Sequence, residues 1–129
     1  MTYAYDEANN LTSVTDWNSQ QTTYAYNNAG YLSTVTPPSS TGIAGSYSYN
    51  NADNLTGISW VKGGSQTLAS ASYTLDATGT RKQRVDGLGT HTSTYDAAYR
   101  LTGVTYPGPS SDSYTYDGQC NQLNATSYT

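Results

Sequence analysis

The chain has 129 residues, of which 35% are hydrophobic and 11% charged, with a net charge of −4 and one cysteine. That length fits one domain or one stretch of a repeat array. Five Lys and Arg against nine Asp and Glu exclude a basic groove for nucleic acid, and no apolar run approaches the ~18 residues of a membrane span.

Leu, Ile and Val total 15 and Phe is absent, so an aliphatic core is out of reach. The 14 Tyr and two Trp replace much of that apolar area, each ring burying roughly 150–250 Å². Charges are too sparse and too balanced for the disordered class. A lone Cys120 forms no internal disulfide. Met1–Tyr5 carries neither a basic nor an apolar leader segment, so export is expected to depend on sequence outside this chain.

Taken in chain order, the elements repeat. Tyr3-Ala-Tyr5-Asp6 leads to Leu11-Thr12-Ser-Val14; Tyr24-Ala-Tyr26-Asn27 leads to Leu32-Ser33-Thr-Val35; Tyr47-Ser-Tyr49-Asn50 leads to Leu55-Thr56-Gly-Ile58. A degraded fourth copy runs Tyr73-Thr-Leu75-Asp76 to Gly79-Thr-Arg81. In the fifth, Ser93 stands where the first Tyr belongs, ahead of Tyr95-Asp96 and Leu101-Thr102-Gly-Val104. The sixth, Tyr114-Thr-Tyr116-Asp117, reaches Leu123 one residue late. The second aromatic position falls at 5, 26, 49, 75, 95 and 116, a period near 21.

Each copy reads as strand, turn, strand. Thr22, Tyr24 and Tyr26 share a face by period two. The following Asp or Asn closes an Asx-turn, with glycines such as Gly30, Gly79 and Gly118 available for positive φ. The Leu-Thr-x-Val stretch opens a β-branched second strand. Strict alternation puts Leu32 and Val35 on opposite faces; either a bulge brings them together or both faces are covered. Residues 36–42, 62–65 and 106–111 are loops by their Pro and Gly. The prediction is all-β: about twelve short antiparallel strands in six hairpins, approximately 1–20, 21–43, 44–69, 70–90, 91–110 and 111–129, stabilised by tyrosine ladders. The array is expected to be a fragment of a longer chain or a polymerising subunit.

The pattern Tyr-x-Tyr-Asp-x-x-Gly/Asn-x-Leu-Thr-x-Val resembles the YD repeat of the RHS (rearrangement hotspot) family, whose members include polymorphic toxins, insecticidal toxin complex C components and teneurins. The resemblance implies a segment of a long sheet that spirals into a hollow shell, often around a C-terminal toxin. Family shells need many more than six repeats, and members that release a toxin carry Asp-Pro motifs that this sequence lacks.

Candidates for chemistry are few. His91, with Ser93 and Asp96 crowded beside it, makes no Ser-His-Asp triad, and no Gly-x-Ser-x-Gly elbow is present; an exposed strand histidine is expected. Cys120 lacks a metal or nucleophile context. The Asp/Asn positions 6, 27, 50, 76, 96 and 117 do not have calcium-loop spacing and serve turns instead. Trp17 and Trp60 are candidate sugar platforms. Asn10, Asn54 and Asn124 match the glycosylation sequon, two of them through the repeat's own Asn-Leu-Thr. No catalytic, metal or cofactor residues are assigned.

The reading is a non-enzymatic scaffold, extracellular or at a cell surface, whose partners are flanking repeats of the same chain or identical subunits. A self-assembling filament joined by strand pairing and a carbohydrate-binding adhesive module are the alternatives, the last with glycans as partners.

Overall fold

A computed structural model describes residues 1–128; Thr129, the last residue of the sixth expected repeat, lies outside the described residues, as does the side chain of Tyr128. The chain is all-β. Twelve strands occur among the described residues, each following its neighbour in chain order, with a 3₁₀ turn at Ser39–Thr41 and no helix long and apolar enough to cross a membrane. Two compact units, Met1–Ser70 and Ala71–Thr129, divide it.

In the first unit, β1 (Thr2–Tyr5), β2 (Leu11–Thr15), β3 (Gln21–Tyr26), β4 (Leu32–Thr36), β5 (Ile43–Tyr49) and β6 (Leu55–Lys62) pair antiparallel with their neighbours. The long strand β7 (Gln66–Leu75) runs across the boundary. In the second unit its residues from Ala71 pair with β8 (Arg81–Asp86), and β9 (Gly89–Tyr95), β10 (Leu101–Thr105), β11 (Ser111–Tyr116) and β12 (Gln122–Tyr128) follow in the same antiparallel manner.

Every repeat carries the same irregularity. Tyr26 pairs with Leu32 but Ala25 pairs with Thr34, so Ser33 is extruded as a bulge. The same slip extrudes Thr12, Thr56, Lys82, Thr102 and Leu123. An extra residue shifts the pleat by one, which puts Leu32 and Val35, three apart, on the face of Tyr24 and Tyr26. The bulge therefore settles the question that alternation left open. Opposite pairs on this face are Tyr3 with Val14, Tyr24 with Val35 and Tyr47 with Ile58. The half-buried Thr22, Tyr24 and Tyr26 alternate with exposed Gln21, Thr23 and Ala25, as the period-two reading requires.

The expected ladder of Tyr on Tyr is not what the face builds. Among the described residues one tyrosine pair stacks, Tyr31 on Tyr49 at 5.2 Å between centroids, and Tyr31 lies outside the Tyr-x-Tyr motif. In the first unit the motif tyrosines instead stand opposite Val, Ile and Leu across the strand pair. Val35, 9% exposed, is the one buried apolar side chain among the described residues. A single layer of hairpins leaves its rings half-covered. Trp60 lies flat against its partner Gly45: a Cβ at Gly45 would stand 2.8 Å from the indole.

Candidate functional site

The recurring unit is a five-residue turn anchored by one side chain. In the first repeat, Asp6 Oδ1 accepts from the amides of Ala8 and Asn10, while the Asp6 amide donates to the Asn10 carbonyl and the Asn9 amide to the Asp6 carbonyl. The same four bonds recur around Asn27, Asn50, Asp76, Asp96 and Asp117. Asp and Asn both serve because Oδ1 is all the turn requires. The fourth residue is left-handed: Asn9, Gly30, Asp53, Gly79, Tyr99 and Cys120. A non-glycine residue there costs roughly 1–2 kcal/mol, which the shared carboxamide or carboxylate bonds offset. Gly118 lies outside the left-handed set; Cys120 takes that position with φ 68°.

Sequence reasoning missed a seventh turn of this kind at Asp16, which joins β2 to β3 with the same bonds and Ser19 left-handed. Its Asp-x-x-Ser-Gln spacing carried the signal, without the preceding Tyr.

The second Tyr of a repeat reaches the repeat before it. Tyr26 Oη donates to the Leu11 carbonyl at 2.9 Å and Tyr49 to Leu32 at 2.9 Å. In the second unit Tyr95 donates to Arg81 at 3.0 Å and Tyr116 to Leu101 at 2.8 Å. The acceptor is always the Leu position, where the bulge leaves a carbonyl outside the ladder. Leu75 of the fourth copy has no hydroxyl to donate.

In two repeats the residue four after the anchor covers a tyrosine of the next repeat. Tyr31 stacks on Tyr49, and Arg100 lies over Tyr116 at 4.8 Å while donating to Asp96 Oδ2 at 2.6 Å and to the Asp117 carbonyl at 3.1 Å. Asn10 and Asn121, at the same position, instead return to their own anchors, Asp6 and Asp117. These contacts shape the titration of the turns. The Asn10 side chain holds the Asp6 carboxyl below its ordinary value, the Thr78 hydroxyl does so for Asp76, and the Asn121 side chain for Asp117. The Arg100 amide and guanidinium lower Asp96, whose own carboxylate raises Arg100.

The one face where the pattern gives way is in the second unit. Arg81 and Arg84 occupy the Leu and Val positions of the fourth repeat, opposite Leu75 and Tyr73, and Ser93 takes the Tyr position opposite Val104. A cleft of about 310 Å³ opens there, bounded by both arginines, His91, Ser93, Val104 and Tyr106. His91 is not the exposed strand histidine expected; its side chain is 14% exposed, with Nε2 3.1 Å from Arg84 and 3.5 Å from Asp86 Oδ2. Arg84 also meets Asp86 at 2.6 Å, while its Nε is buried without a partner. The Leu88 amide, then Arg84 and His91, hold Asp86 below its ordinary value. Tyr106 closes the far side, edge-on to His91 with centroids 5.8 Å apart, and its hydroxyl donates to Asp112 Oδ2 at 2.6 Å, which raises the phenol. The Ser127 hydroxyl, then Tyr106, lowers Asp112.

Ser93 and His91 share this face, but Asp96 does not join them, because its carboxylate is committed to Ala98 and Arg100. Among the described residues, no three of His, Cys, Asp and Glu gather to hold a metal ion. Tyr3 and Tyr5 are exposed on β1, and Leu123 is a bulge residue 60% exposed, with Gln122 at the Leu position. Tyr114 is half-buried with its hydroxyl 3.4 Å from Asp112. Trp17 is 78% exposed in the Asp16 turn, whereas Trp60 is committed to Gly45. Of the sequon residues, Asn10 donates its side-chain amide to Asp6, Asn54 closes the Asn50 turn through its backbone, and Asn124 is exposed on β12.

Residues 5–41 match the model of a family described as RHS Repeat. No curated protein matches the chain in sequence. Among solved structures, the chain is similar to a complex of TcdB2, TccC3 and Cdc42, with a TM-score of 0.83 and 19% identity over 98% of its length. It is similar to a TcdB2–TccC3 structure with a TM-score of 0.81 and 19% identity, again over 98% of the chain. A third is the Tc holotoxin pore of Photorhabdus luminescens with a substituted TccC3, with a TM-score of 0.60 and 18% identity over 97% of the chain. The chain spans 8% of the first two neighbours' chains and 9% of the third. The resemblance to the RHS repeat thus holds in sequence over residues 5–41 and in fold over nearly the whole chain.

Proposed function

We propose that this chain is a structural segment of an RHS-type shell, non-enzymatic and located outside the cell or at its surface, with further repeats of the same polypeptide as its partners. The observation that carries the reading is the hydroxyl link. Four tyrosines each donate to the backbone of the repeat before them, so a repeat is completed only by its neighbours, as in other arrays whose stability is a sum of nearest-neighbour terms. At the ends, the Tyr5 hydroxyl has no such acceptor and the Gln122 carbonyl no such donor among the described residues. Added repeats on both sides would supply them. The fold shared with Tc components, of which the chain spans less than a tenth, supports the shell.

Those two unfilled ends also favour a second reading. Tyr5 of one copy and Gln122 of another are complementary, so identical chains would join head to tail through β1 and β12 into a filament. Intact-mass measurement of the native polypeptide separates the two. Many hundred residues are expected for the shell. A native chain of this length that forms fibres in electron micrographs would overturn the shell for the filament; one that stays monodisperse as small particles would overturn both. For the adhesive reading, Trp17 is the remaining exposed indole, and a glycan array should show no signal that Trp17→Ala removes.

A further inference from the structure

The departures of the fourth and fifth repeats from the pattern are concerted: they meet in one cleft. Five repeats place a tyrosine at the first aromatic position, Tyr3, Tyr24, Tyr47, Tyr73 and Tyr114; the fifth repeat has Ser93 there. Its backbone is otherwise regular, with Ser93 opposite Val104 as Tyr24 is opposite Val35. The hairpin is thus built for a ring that the chain does not supply, and the space left is the cleft of about 310 Å³. Its walls suit a ring: Val104 below, and the edge-on pair of His91 and Tyr106 at one side.

Two arginines line the cleft in place of Leu and Val, and their situations differ. Arg84 is already neutralised by Asp86 at 2.6 Å and held by His91. Arg81 has no carboxylate partner among the described residues; its guanidinium lies 5.8 Å from the Tyr73 ring centre, and its backbone is pinned by the Tyr95 hydroxyl. The nearby acids do not oppose an incoming anion strongly: Asp86 is paired with Arg84, and Asp112 is hydrogen-bonded by Tyr106. A mostly apolar slot with one unpaired, positioned arginine in its lining is the arrangement by which proteins hold a ring bearing a carboxylate.

We propose that the Ser93 cleft binds a small aromatic carboxylate, the ring filling the vacated tyrosine position and the carboxylate pairing with Arg81. The site is independent of whether the array is a shell or a filament, since every group in it belongs to the second unit.

The test is an NMR titration of the 129-residue chain with 4-hydroxyphenylacetate, with p-cresol and acetate as probes for the ring and the charge separately. Shifts confined to His91, Ser93, Val104 and Tyr106 are expected, with affinity about tenfold above either half-probe, as one charge-assisted bond added to ring burial provides. Arg81→Gln, at an exposed side chain, should bring 4-hydroxyphenylacetate down to the p-cresol level. Ser93→Tyr should refill the slot and abolish binding of all three while raising the melting temperature. No shift at these residues at tens of millimolar ligand would overturn the proposal. So would equal affinity for p-cresol and the carboxylate, or undiminished binding by folded Ser93→Tyr.

Discussion

The two units are made of the same hairpins and differ in what the hairpins carry. In Met1–Ser70 the Tyr face is regular: Leu11, Leu32 and Leu55 precede Val14, Val35 and Ile58, and two of its turns are anchored by neutral Asn27 and Asn50. In Ala71–Thr129 that face holds Arg81, Arg84, His91, Ser93 and Asp112, the turns at 76, 96 and 117 are all anchored by aspartate, and the ion pairs found among the described residues lie here. Yet bulge, turn and hydroxyl link are the same in both. The backbone devices fix the fold, so the face is free to change. A repeat whose geometry depended on packed rings would not have tolerated Arg81, Arg84 and Ser93 in succession.

That comparison breaks first at the tyrosines. Tyr49→Ala removes a half-buried ring, its stack with Tyr31 and its link to Leu32, and should cost about 3 kcal/mol by chemical denaturation. Tyr95→Ala, whose ring lies by the Lys82 ammonium at 5.2 Å with no aromatic stack and whose link lies in an exposed setting, should cost about 2 kcal/mol or less. Equal losses would mean that the rings contribute alike and the regular face gains nothing from its packing.

Gly45→Ala comes next. The new methyl would meet three indole atoms within 2.9 Å, so Trp60 must leave its partner strand, at about 2 kcal/mol. Tryptophan fluorescence should shift to the red, and the second unit should be unaffected.

Tyr→Phe substitutions isolate the hydroxyl. Phe at Tyr26, Tyr49 or Tyr116 keeps the ring and deletes the bond to the preceding repeat, with an expected loss of about 1 kcal/mol each. Similar values in both units are expected, because the link depends on the bulge carbonyl and not on the face.

How much of this the sequence shows follows from the reach of each signal. Tyr-x-Tyr followed by Asp or Asn is a local pattern, so hairpins, strand number and turn anchors are legible from spacing alone. The bulge is not, because Leu and Val three apart fit neither period two nor a known exception until the partner strand is seen. The hydroxyl links are invisible for a similar reason: their acceptors, Leu11, Leu32, Arg81 and Leu101, are backbone atoms some 15 residues away. The cleft was half-legible. Ser93 and Arg81 stand out as departures, but that they line one cavity with His91 depends on register, which placed a residue expected to be exposed at 14% exposure.

The finest test of the comparison is acid. Asp76, Asp96 and Asp117 are held below their ordinary values by the Thr78 hydroxyl, the Arg100 amide and guanidinium, and the Asn121 side chain respectively, with the amides that close their turns adding to each. A carboxylate with a lowered folded pKa contributes stability that is fully present above its unfolded value near 3.9 and is lost as pH falls through the folded value. Asn27 and Asn50 make the same turn bonds with nothing to titrate. Amide exchange at the left-handed residues should therefore stay slow at Gly30 and Asp53 as pH drops from about 5 to about 2, once corrected for intrinsic rates, while Gly79, Tyr99 and Cys120 lose protection. Asn27→Asp should transfer that sensitivity to Gly30 alone. If all turns lost protection together in the parent chain, acid would be acting on the array as one cooperative body, and the difference between the units would lie in their faces without reaching their turns.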